Sequence, residues 1–222
     1  MNASNVLIAI GVIAFAYLIG SVNFAVIFSS LFTGRDVRKS GSGNAGTTNV
    51  LRTAGKLPAI LTFVFDALKG FVACFAGKAV FAYLFLQSGN ILFTEIFGAY
   101  VCCLAVMLGH IYPIFFGFKG GKAVACSVGT FAVCCPIAII LGLCVFALSL
   151  IFSKIVSLSS LLATVTVVSV AIVYIITTAQ QSYMILPVIV MSIFAGVIVF
   201  VKHKDNIVRL INGSEKKISA KK

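Results

Sequence analysis

Long apolar stretches alternate with short polar ones along the whole chain. Apolar runs fill Ser4–Phe32, Leu57–Leu86, Ile91–Leu108, Ala123–Phe152, Ile155–Ala179 and Met184–Val201, and polar segments interrupt them at 33–56, 87–90, 109–122, 153–154, 180–183 and 202–222. Most runs are long enough to cross ~30 Å of hydrocarbon as helix at ~1.5 Å per residue. A membrane β-barrel would instead show short alternating segments. The first run has no basic n-region and is too long for the core of a signal peptide, so it reads as a retained span. Leu57–Leu86 is longer than one crossing needs and must tilt, kink or overrun the bilayer; Pro58 suits the first turn of its helix. In Ala123–Phe152, Pro136 cannot donate to a helix ladder and disfavours helix at Cys135. The run therefore divides into a short segment, 123–135, and a helix over 136–152. The short segment is thin for a crossing and suits a half-helix lining a polar site, the one place where irregular backbone is tolerated at depth. The pattern predicts an all-α polytopic membrane protein: one integral membrane domain over 1–222, with seven transmembrane helices.

Composition agrees. The chain of 222 residues is 61% hydrophobic with a mean hydropathy of +1.16, whereas a soluble domain is nearer half apolar. Charge sets the topology. Arg35, Arg38, Lys39, Arg52 and Lys56 lie in 33–56, Lys119 and Lys122 in 109–122, and Lys202, Lys204, Arg209, Lys216, Lys217, Lys221 and Lys222 in the tail, while 87–90 and 180–183 carry no basic residue. The positive-inside rule puts the basic segments in the cytoplasm and the N-terminus outside. An even number of crossings must then follow 109–122, which the division at Pro136 supplies. The net charge of +12 is met by anionic lipid and anionic substrates rather than by nucleic acid. The seven cysteines all lie in or beside apolar runs and read as small buried hydrophobes, without metal-ligand spacing to histidine.

Against this background three polar segments stand out: 40–52, 109–125 and 202–217, all assigned to the cytoplasmic face. In "SGSGNAGTTN", Gly41, Gly43 and Gly46 let the backbone adopt positive φ and turn consecutive N–H groups towards one point, as in a phosphate-binding nest. Ser42, Asn44, Thr47, Thr48 and Asn49 add donors, and Arg52 follows Thr48 by one helical turn. A flexible linker would have little reason for the Asn and Thr. In "GHIYPIFFGFKGGKAVA", Lys119 and Lys122 flank Gly120 and Gly121 just before a helix start, again a phosphate cradle; a loop obeying only the charge rule needs no glycine pair. His110 reads equally as an interface residue. In "KHKDNIVRLINGSEKK", His203 and Asn206 share a helical face, the alternative being a basic tail lying on the bilayer. Asp66 and Lys69 are an intramembrane i, i+3 pair that either faces a functional cavity or is purely structural. Ser157 sits at a span start, where capping alone explains a serine. The five acidic residues form no paired set, which disfavours Mg²⁺-dependent phosphoryl transfer, carboxylate acid–base pairs and zinc hydrolysis. The fitting chemistry is transfer between anionic substrates, stabilised by cations and N–H groups.

These three segments, in this order and spacing, together with "AYLIGS" (16–21) and "FDALKG", resemble the signature motifs of the bacterial membrane acyl-phosphate:glycerol-3-phosphate acyltransferases, over essentially the whole chain. Thr47 departs from the family pattern, where Ala is usual. The resemblance implies that the 1-hydroxyl of sn-glycerol 3-phosphate attacks a fatty acyl phosphate, giving lysophosphatidic acid and phosphate, the first acylation of phospholipid synthesis. It implies no cofactor and no metal, a location in the bacterial inner membrane, and contact with the enzyme that makes the acyl phosphate. By position, Ser42, Gly43, Asn44, Gly46, Thr48 and Asn49 would surround the acyl phosphate. Arg52, Lys122, His203 and Asn206 would bind or orient glycerol 3-phosphate and the transferring groups, and Lys119, Gly120 and Gly121 would complete a second cradle. His110, Ser157, Asp66 and Lys69 join the substrate-binding set, and the spans would hold the acyl tail. Either His203 or a substrate phosphate would take the hydroxyl proton; the abundance of phosphate binders and scarcity of bases favour the phosphate. The competing class is an organic-phosphate transporter, which would place its binding groups near the midplane and show an internal repeat; the chain shows neither pattern.

Overall fold

The computed structural model describes residues 2–179 and 182–218. Gln180 and Gln181 of the polar segment 180–183, and Lys221 and Lys222 of the basic tail, lie outside the described residues. Among the described residues, all regular structure is helical. Six segments of the described residues are apolar and long enough to cross a membrane: Ala3–Thr33, Lys56–Ser88, Glu95–Phe116, Pro136–Ser153, Val156–Thr178 and Ser182–Lys202. Their flanks carry exposed apolar side chains such as Leu31, Leu57, Leu86, Ile151 and Phe152, surface that hydrocarbon covers without cost.

The chain divides into two bodies, one ending at Cys134 and one starting at Cys135. The first holds α1 (Ala3–Gly20), α2 (Phe24–Thr33), α3 (Thr47–Thr53), α4 (Lys56–Ser88), α5 (Glu95–Ile111) and α6 (Val124–Cys134). Helix α4 is its axis, packing against α1, α2, α3, α5 and α6. Its contact with α6 is very close. A Cβ on Gly129 would collide with Ala67 O, and one on Gly70 with Cys126 O, so small residues let the two backbones touch, as in membrane helix pairs generally.

One difference from the expected pattern and one agreement with it have plain causes. The single run Ser4–Phe32 is two helices, because Asn23 stops one and starts the next: its side chain accepts from Val26 N at 3.2 Å, capping α2. The run 123–152 breaks at the expected proline, with α6 ending at Cys134 and Pro136 opening the next helix. At 11 residues, α6 is only about 16 Å long, half the hydrocarbon thickness.

The second body holds α7 (Pro136–Ser153), α8 (Val156–Thr178), α9 (Ile185–Lys202) and α10 (Lys204–Ile211), with α7 against α8, α8 against α9, and α10 against α9. Lys154 turns the chain between α7 and α8 in the left-handed region, φ 59°.

Candidate active site

In the first body the segments 33–56 and 109–122 are folded onto each other. The link begins with Asp36 and Arg38. The Arg38 guanidinium grips the Asp36 carboxylate through Nε and Nη2 at 2.8–3.1 Å, and its Nη1 donates across to Phe116 O at 2.7 Å and Lys119 O at 3.2 Å. The Arg38 hydrogen bonds hold the Asp36 carboxyl below the usual carboxylate range.

Asn49 shapes the first segment. It is buried, its Oδ1 accepts from Ser42 N at 2.9 Å, and its Nδ2 is shared among Val37 O, Ser40 O and Asn44 O, each at 3.0 Å. The amide is thus fully engaged in holding the loop that presents Ser42, Gly43 and Asn44. Gly41 and Gly43 take the expected positive φ, 65° and 71°. Gly46 does not: it is extended, φ −155°, because it caps α3 and its carbonyl accepts from Asn49 N and Val50 N. Ser42, Gly43 and Arg52 are exposed, and Thr48 is half-buried. Thr47 Oγ1 is buried and makes no hydrogen bond.

The second segment is a closed loop. Gly120 N donates to Ile111 O at 3.1 Å and Gly121 N to His110 O at 3.2 Å. Both glycines are required by close approach rather than by φ. A Cβ on Gly120 would strike His110 O, and one on Gly121 would strike the His110 ring and Ala45 O. Gly121 is therefore where the two phosphate-suited segments meet. Lys119 is exposed and Lys122 half-buried beside it.

Beneath this junction lie Asp66, Lys69 and His110, all buried. Lys69 Nζ is 2.8 Å from Asp66 Oδ1, and His110 Nδ1 is 3.5 Å from the same oxygen. Lys69 also donates to Val22 O at 2.6 Å, a carbonyl at the break between α1 and α2, and lies 5.5 Å from the centre of the Phe24 ring. The polar pair seen in the sequence thus lies buried beside His110.

The remaining candidates lie in the second body. His203 is buried at the α9–α10 junction, and its Nδ1 is 2.8 Å from Val199 O. A carbonyl only accepts, so Nδ1 carries the proton and Nε2 is the basic nitrogen. Asn206 Nδ2 and Arg209 Nε donate to the two oxygens of Glu215 at 2.6 Å each, and Ser157 Oγ donates to Glu215 Oε1 at 2.9 Å. The tail up to Ile218 is thereby tied down, with Ile218 N donating to Lys154 O at 2.7 Å. Burial pushes the Glu215 carboxyl up, but the bonds from Arg209, Asn206 and Ser157 outweigh it, and the pKa falls below its ordinary value. The stabilisation Glu215 gives is complete above the unfolded carboxyl pKa of about 4.3 and is lost as pH falls through the lower folded value. Hydrogen exchange of residues 206–218 is expected to accelerate over that acid range in the native protein and to lose this pH dependence in Glu215→Gln.

Sequence reasoning missed Arg38, Asp36 and Glu215. The signal for Glu215 was a single acid set directly before Lys216 and Lys217. It also missed a convergence of Cys74, Cys103 and Cys134, whose sulfurs lie within 4.8 Å of one another, because α4, α5 and α6 bring together residues that share no local spacing. A cleft lined by Asn2, Asn5, Tyr83, Gln87, Ser88 and Asn90 lies at the far end of α4 from the glycine-rich segments and holds no candidate residue.

Comparison with known proteins matches this arrangement to one family. A family model described as glycerol-3-phosphate acyltransferase matches residues 10–213. A glycerol-3-phosphate acyltransferase of Francisella tularensis subsp. novicida is 42% identical over 214 residues, covering 95% of this chain and 93% of the relative. Glycerol-3-phosphate acyltransferase 2 of Bacillus anthracis is 35% identical over 203 residues, covering 91% and 95%. Among solved structures, PlsY (YgiH), an integral membrane glycerol 3-phosphate acyltransferase, superposes in its glycerol 3-phosphate form with a TM-score of 0.77 at 33% identity, covering 95% of this chain and 96% of that one. Its lysophosphatidic acid form superposes with a TM-score of 0.73. This chain belongs to the glycerol-3-phosphate acyltransferase family.

Proposed function

We propose that the protein transfers a fatty acyl group from an acyl phosphate to the 1-hydroxyl of sn-glycerol 3-phosphate. The observation that carries this reading is the junction at Gly121, where two segments rich in glycine, hydroxyl and cationic groups pack together over a buried His110. The hydroxyl oxygen attacks the acyl carbonyl, the bond from the carbonyl carbon to the phosphate oxygen breaks, and inorganic phosphate leaves with the electron pair. The hydroxyl proton passes to a substrate phosphate. Backbone N–H groups of 41–46 and the cations Arg52, Lys119 and Lys122 neutralise the charge gathered on the phosphates, the largest contribution such a site makes. Ser42, Gly43, Asn44, Gly46 and Thr48 hold the acyl phosphate, while Asn49 holds their loop. His110, with Asp66 and Lys69, fixes Gly120 and Gly121 in the second cradle. His203 and Asn206 bind glycerol 3-phosphate, and Ser157 acts through Glu215. Apolar helix faces take the acyl chain at about 0.8 kcal/mol per buried CH₂.

The protein acts as a single integral membrane enzyme of the bacterial inner membrane, N-terminus outside and C-terminus cytoplasmic, with α6 counted as the seventh, short crossing. Its lipophilic donor is handed over at the membrane by the enzyme that makes it.

Purified protein in vesicles, given palmitoyl phosphate and labelled glycerol 3-phosphate, is expected to form labelled lysophosphatidic acid without metal or coenzyme A. Uptake of label into the vesicles with no lipid product would replace this reading with transport. For His203→Ala, the KM for glycerol 3-phosphate is expected to rise by about 10- to 150-fold, the weight of a hydrogen bond to a charged group, with a smaller fall in kcat. A pH–rate profile whose single limb vanishes in His203→Ala would make the imidazole the base instead.

A further inference from the structure

We infer that Cys74, Cys103 and Cys134 form a binding site for one soft monovalent metal cation, Cu(I) being the fitting ion, a site independent of the acyl-transfer reading. One thiol comes from each of α4, α5 and α6, and all three sulfurs lie within 4.8 Å of one another. Cys74 and Cys103 are wholly buried and Cys134 partly so. Met107, one turn beyond Cys103 and also wholly buried, brings its Sδ to 3.8 Å from the Cys103 sulfur. The donors are therefore sulfur throughout.

The geometry is close to a coordination site. Three ligands at metal–sulfur distances of about 2.3 Å place their sulfurs about 4.0 Å apart in a plane, so closing onto an ion takes movements below about an ångström. The backbones are already in contact at the α4–α6 crossing, where Gly70 and Gly129 sit, so the thiols are held near each other before any ion arrives. Three small hydrophobes filling a core need no such convergence.

Softness and charge choose the ion. Thiolate and thioether sulfur select Cu(I), whereas Mg²⁺ and Ca²⁺ require oxygen. Zn²⁺ favours four strong ligands, and a thioether is a poor fourth. Charge at this depth is costly unless neutralised. Cu(I) entering with loss of one thiol proton leaves the site neutral: one metal–thiolate bond forms, one S–H bond breaks, the proton leaves to solvent, and nothing is oxidised or reduced. Such proton release makes affinity pH-dependent.

The full chain in nanodiscs, fully reduced, is titrated with Cu(I) held by bicinchoninate under ascorbate. The expected result is one copper taken per chain, with a thiolate-to-copper absorption band and an apparent affinity rising about tenfold per pH unit. Bound copper should also shield the half-buried Cys134, but not the exposed Cys144, from alkylation by N-ethylmaleimide read by peptide mass spectrometry. That second reading needs no variant. In the triple variant Cys74→Ala, Cys103→Ala, Cys134→Ala, copper uptake is expected to fall at least 100-fold, while Cys144→Ala keeps it. Absence of uptake by the native chain, equal uptake by the triple variant, alkylation unaffected by copper, or displacement of the copper by equimolar Zn²⁺ would overturn the assignment.

Discussion

Asp66→Ala is expected to remove most of the correctly folded protein. The substitution leaves the Lys69 ammonium buried, with Val22 O at 2.6 Å and the Phe24 ring at 5.5 Å but no anion. It also takes away the carboxylate 3.5 Å from His110. Breaking a buried ion pair by deleting one partner costs about 3–5 kcal/mol, because the survivor stays charged and dry. That is a large fraction of the 5–15 kcal/mol or so that holds an ordinary domain together. The measurement is the melting midpoint and the monodisperse fraction in detergent. The diagnostic comparison is Asp66→Leu with Lys69→Met, which removes both charges. This double variant is expected to recover much of the lost stability, since apolar groups of similar volume replace buried pairs at little net cost, while turnover stays low because His110 is no longer held. If Asp66→Ala melts like the native protein, the pair is not the anchor its burial implies.

Gly121→Ala is expected to have a different signature, a stability loss of only about 1–3 kcal/mol with turnover reduced about 100-fold or more, the scale of loss that an ångström of misplacement brings. The added methyl would press on the His110 ring and on Ala45 O. Neither gives way readily. Ala45 is 1% exposed, and the imidazole is flanked by Asp66. The loop carrying Lys119 and Lys122 must therefore lift away from the loop carrying Ser42 and Asn44. Gly11→Ala, where an added Cβ meets nothing within 4 Å, is the control and should be neutral in both measurements. Equal turnover in the two variants would mean that the junction plays no part in catalysis.

Much of this architecture can be read from the chain because membrane helices declare themselves by length and apolarity, and because Pro136 acts locally through its missing N–H. The glycine-rich segments are equally visible, since the residue types that gather phosphate are rare in an apolar sequence. What cannot be read is contact between distant segments. Nothing near Arg38 announces that its guanidinium reaches Phe116 O, and nothing near Asn49 announces that one amide serves four backbone groups. The role of Asn23 as a helix cap is hidden for another reason: a single amide inside an apolar run looks like noise until the carbonyl of Val22 is found on Lys69. Gly46 shows the reverse error, a glycine valued for positive φ that is extended because it opens a helix.

Helix α4 has 33 residues, about 50 Å of rigid rod, against a hydrocarbon slab of about 30 Å. Such a rod accommodates a thinner or thicker bilayer by leaning. The Asp66–Lys69 anchor, the α6 crossing and the short α3 beside the glycine-rich loop all bear on this one helix, so its inclination carries them together. Acyl-chain length in the surrounding lipid thereby becomes a mechanical input to an enzyme family whose business is glycerolipid synthesis.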